Sequence, residues 1–72
     1  MGLGVRLKEN EVEYSVNIRK NPKWFAEDLR KLADTLEAMS SGEVSRVTVE
    51  THLHSPEYNN IIVTVPRYYT EY

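Results

Sequence analysis

Residues 22 to 40 are the only long stretch whose apolar side chains recur at helical spacing, and this limits the chain to folds in which one helix covers a sheet. At 100° per residue, Phe25, Leu29, Leu32, Leu36 and Met39 fall within a stripe about 80° wide, with Ala33 beside it. The opposite side collects Lys23, Glu27, Arg30, Lys31, Asp34 and Glu37, where Glu27 and Lys31, and Arg30 and Asp34, are spaced as i,i+4 pairs. Asn21 is placed to accept from the first free backbone N–H groups, and Pro22 loses nothing by lacking its own. Gly42 suits the left-handed turn that ends a helix.

The flanking segments alternate with the period of strands. Val12, Tyr14, Val16 and Ile18 interleave with Glu11, Glu13, Ser15 and Asn17, and Val5 and Leu7 continue the pattern ahead of the polar break Glu9-Asn10-Glu11. After the helix, Val47, Val49, Thr51 and Leu53 interleave with Arg46, Thr48, Glu50, His52 and His54. Turn chemistry follows in Ser55-Pro56-Glu57-Tyr58-Asn59-Asn60, and then Ile61, Val63 and Val65. Pro66 cannot donate to a ladder, so it either sets the last strand at an edge or ends its pairing.

These elements predict an α+β fold in two layers, ββαββ, with one helix on a four-stranded antiparallel sheet in the order 4-3-1-2, as a single domain over 1–72. The predicted core comprises Val5, Leu7, Val12, Tyr14, Val16, Ile18, Phe25, Leu29, Leu32, Leu36, Met39, Val47, Val49, Leu53, Ile61, Val63 and Val65. A chain this short buries only about 60% of the surface its unfolded form exposes, so self-association is a natural source of further burial.

Composition narrows the function classes. There is no cysteine, hence no disulfide framework or thiolate metal cage, and nothing apolar is long enough to span a bilayer. The amino-terminal residues lack the apolar core of a signal peptide, and the expected location is the cytoplasm. Net charge is −2, with seven basic and five acidic side chains in residues 1 to 31 against two and six in residues 32 to 72. That basic excess is scattered over Arg6, Lys8, Arg19, Lys20 and Lys23 rather than gathered into a stripe.

No Gly-rich phosphate loop, nucleophile elbow or carboxylate pair stands out, and a two-layer domain of this size would form a pocket of ~300 Å³ only between subunits. The expectation is a non-catalytic chain without a cofactor. Glu50, His52 and His54 could share one strand face and hold a metal ion, but same-face neighbours on a strand stand about 7 Å apart, long for chelation.

Binding is the remaining class. The helix covers one sheet face, which leaves Ile62 as the apolar exception on a polar reverse face, Trp24 at the rim of the helix stripe, and Arg67, Tyr68, Tyr69 and Tyr72 on the tail. These residues predict a protein-binding module of adaptor or inhibitor type that dimerises or docks through the open sheet face, an edge strand and the Tyr-rich tail. The alternative is a sheet that binds single-stranded nucleic acid by Tyr stacking, with Arg6, Lys8, Arg19 and Arg67 on phosphate.

Overall fold

A computed structural model describes residues 2–39 and 43–67. Four strands and one helix follow in the predicted sequence: β1 (Leu3–Leu7), β2 (Glu11–Asn17), α1 (Pro22–Ala38), β3 (Arg46–Glu50) and β4 (Asn60–Pro66). A short 3₁₀ turn at Pro56–Tyr58 precedes β4. All neighbouring strands are antiparallel, and the helix lies on one side of the sheet, as the alternation and the single apolar stripe require.

The strand order is 1-2-4-3, not 4-3-1-2. β2 and β4, each of seven residues, take the centre, and the five-residue β1 and β3 take the edges. Central position goes to the strands with most apolar surface to pair: Val12 stands opposite Val65, Tyr14 opposite Val63 and Val16 opposite Ile61. Pro66 therefore ends the pairing of a central strand, opposite Glu11, and does not mark an edge.

Helix α1 begins as predicted, with the Asn21 side chain accepting from the backbone N–H groups of Lys23 and Trp24 at 3.0 and 3.1 Å. It ends at Ala38 rather than residue 40, with Met39 as its cap, and the predicted stop at Gly42 lies outside the described residues. Neither Glu27–Lys31 nor Arg30–Asp34 is among the ion pairs of the described residues. Lys31 instead lies against Gly2.

The core is narrower than predicted. Val12, Tyr14, Val16, Leu32, Val63 and Val65 are buried, and Leu3, Phe25, Leu29, Leu36 and Met39 pack partly buried around them. Ile18 and Ile61 are half-buried. Val5, Leu7, Val47 and Val49, predicted as core, are all more than half exposed. Width explains the difference: a helix about 10 Å across covers about two strands spaced about 4.8 Å apart, and α1 lies over β2 and part of β1, so β3 and the far end of β1 extend beyond it.

Leu53 is a separate correction, because it lies 90% exposed beyond the end of β3. The strand stops at Glu50, whose partner Asn60 is the first residue of β4. From Thr51 the backbone turns away: the His52 N–H donates to Asn59 Oδ1 at 2.7 Å, and the Tyr58 N–H donates to the Ser55 carbonyl at 2.9 Å.

Candidate functional site

Strand β3 is the most accessible element of the sheet. All five of its residues are exposed, it pairs only with β4, and its other edge meets no strand among the described residues. Pairing of Val47 with Val63 and of Val49 with Ile61 turns both valines to the helix side, where they are 61% and 56% exposed because α1 lies over β2 and β1. Val44, just ahead of the strand, is also about half exposed. Edge strands are commonly shortened, charged or covered, and this one combines an open backbone with an uncovered apolar flank.

The reverse face of the sheet is differently built. Arg46 on β3 reaches over β4 to Glu11 on β2, with Nη1 to Oε2 at 3.0 Å and Nη2 to Oε1 at 3.2 Å. The hydrogen bond from Arg46 holds the Glu11 carboxyl below its ordinary range, and the same contact raises the guanidinium. Lys8 pairs with Glu13 at 3.1 Å. Asn60 donates to Glu50 at 3.1 Å, the main reason the Glu50 carboxyl is also lowered, and His52 Nε2 stands 3.6 Å from the same oxygen. Ile62 is half-buried between the register partners Ser15 and Thr48. Much of this face's polar chemistry is thus engaged within the chain.

Glu50 and His52 stand together, but His54 does not complete a three-ligand group with them, since the strand that would have aligned all three ends at Glu50. Among the described residues no group of three potential ligands converges on a metal position.

At the end of the sheet lies a cleft of about 430 Å³ lined by Asn17, Arg19, Trp24, Pro56 and Glu57, adjoined by a second of about 350 Å³ that reaches Asp28 and Tyr58. Single-chain spaces of this size were not predicted, because they arise where the 3₁₀ turn, remote in sequence, comes to face the start of the helix. Trp24 is 51% exposed, and the Arg19 guanidinium sits 5.1 Å from its ring centre. Arg19 also holds Asp28, a carboxylate only 4% exposed, at 3.3 Å. Trp24 therefore packs over the exposed side of a part-buried ion pair, and this cleft does not adjoin β3.

Of the tail residues predicted to bind, Arg67 is tied to the β1–β2 turn, its N–H donating to the Asn10 carbonyl at 2.9 Å and its Nη1 to the Lys8 carbonyl at 2.7 Å. Tyr68, Tyr69 and Tyr72 lie outside the described residues. The exposed flank of Val47 and Val49 was missed as a surface because strand alternation assigns both valines to the core. The signal that could have exposed it was the width of one helix against four strands.

No helix among the described residues is long and apolar enough to cross a membrane. Comparisons with known protein families, curated proteins and solved structures found no match.

Proposed function

We propose that this chain is a small protein-binding domain of adaptor or inhibitor type, acting by occupying a polypeptide surface, and that β3 is its principal contact. One observation carries the reading: an edge strand whose outer backbone side meets no strand among the described residues has Val47 and Val49 uncovered on the helix face. Backbone pairing would supply affinity and the two valines an apolar anchor. Tyr68, Tyr69 and Tyr72 are proposed as a second, auxiliary contact, and Trp24 and Ile62 become peripheral to it. The cysteine-free composition fits a cytoplasmic setting.

The nucleic-acid alternative gains no support. Central positions of the reverse face hold Glu11, Glu13, Ser15, Ile62 and Thr64, with no ring to stack on a base, and Tyr14 is in the core.

The test is capture of host proteins on the immobilised chain, compared with a Val47→Lys/Val49→Lys variant whose circular dichroism matches the parent. The reading expects specific retention by the parent and its loss in the variant. Equal retention by both removes β3 as the contact.

A further inference from the structure

We infer that the polypeptide β3 receives is β3 of a second copy, paired antiparallel about a two-fold axis midway between the Thr48 residues of the two copies; this rests on the reading of β3 as the contact strand. The strand is self-complementary. Its sequence Arg46-Val47-Thr48-Val49-Glu50 reads with opposite charge at its two ends and the same residue on either side of the centre. With Thr48 opposite Thr48 of the second copy, Val47 meets Val49 and Arg46 meets Glu50, each contact occurring twice by symmetry. Ser45 and Thr51 extend the match by a pair of small hydroxyl residues.

The faces agree as well as the order. Val47 and Val49 both lie on the helix side, so the four valines of the pair form one apolar strip in a continuous eight-stranded sheet. Arg46, Thr48 and Glu50 lie on the reverse side, where the two charge pairs would form without burying an ion. Arg46 already grips Glu11, but a bidentate carboxylate uses two of the five guanidinium N–H groups and leaves donors for a second acceptor. The other edge has no such symmetry. In β1, pairing about Val5 would set Arg6 opposite Gly4, a contact with no charge partner.

A five-residue strand makes a small interface, so association will depend on concentration. The test is sedimentation equilibrium of the full chain from micromolar to millimolar concentration, with two single variants, Arg46→Glu and Glu50→Arg. Each variant alone places like charges across the axis and should weaken the dimer about tenfold or more. Mixed in equal amounts, the two restore both charge pairs across the axis and should form a heterodimer at least about tenfold tighter than either variant's own dimer, though the Arg46→Glu chain lacks its internal bond to Glu11. Circular dichroism checks that both variants stay folded.

A mixture that remains as monomeric as its components overturns the two-fold pairing, as does a parent that stays monomeric throughout. If the parent is monomeric yet Val47→Lys/Val49→Lys still abolishes capture of a host protein, β3 serves a foreign partner and only the self-pairing is overturned. If the parent dimerises and neither single variant weakens it, the dimer uses another surface and the inference is again overturned.

Discussion

The guanidinium of Arg46 crosses β4 to hold both carboxylate oxygens of Glu11, two residues thirty-five positions apart in sequence and two strands apart in the sheet. This contact ties edge strand β3 to the centre from the face opposite the helix. Since α1 does not cover β3, the reverse-face contacts and the β4 ladder carry its attachment.

Acid should loosen that attachment. The Glu11 carboxyl is lowered in the fold from its ordinary 4.5 by the bond from Arg46, so the folded state binds fewer protons than the unfolded state in this range. The stabilisation is complete above the unfolded value and is lost as pH falls through the lowered folded one; Glu50, lowered by Asn60, acts with the same sign. Thermal midpoints measured from neutral pH into the acid range should fall below pH ~4.5, and Glu11→Gln should flatten that fall. Parallel curves for parent and variant would rule out the contribution.

Asp28 and Arg19 form the most enclosed ion pair among the described residues, the aspartate being nearly buried and the arginine partly exposed. Arg19→Met leaves the carboxylate without that partner and should cost about 1–3 kcal/mol in urea unfolding. It also removes the cation over Trp24, so the tryptophan emission should shift in the folded state. A stability change within about 0.5 kcal/mol would place Asp28 in water after all.

Thr64 carries the opposite kind of defect. It is 1% exposed on β4, and its hydroxyl finds no hydrogen-bond partner among the described residues. Thr64→Val removes the unpaired group at similar volume and should stabilise the chain by up to about 1 kcal/mol, whereas Thr64→Ser should not. A loss of stability in the valine variant would show that the hydroxyl is satisfied.

The two kinds of apolar residue should separate in unfolding experiments at low concentration. Leu32→Ala empties the helix contact with the core and should cost about 2–5 kcal/mol. Val47→Thr, on the uncovered flank, should change stability by no more than about 0.5 kcal/mol. Comparable losses for both would mean that β3 is covered in solution even in the monomer.

Local spacing was enough to determine the order and kind of the elements and the facing of most of their residues, though not the end of β3 at Glu50. Val12, Tyr14 and Val16 had to lie on one side of a strand, Leu29, Leu32 and Leu36 on one side of a helix, and Asn21-Pro22 at its start, because each property depends on neighbours within a few residues. Which strands stand next to one another was decided only in three dimensions. Val47 and Val12 look alike in sequence, each a valine between polar residues, yet one is 61% exposed and the other fully buried. The difference is their place under a helix too narrow for four strands, and that place depends on pairing energies summed over whole strands. The Arg46–Glu11 clamp and the open flank of β3 share this origin: each is set by the strand order 1-2-4-3 or by the helix's seat on it, information that no window of neighbouring residues contains.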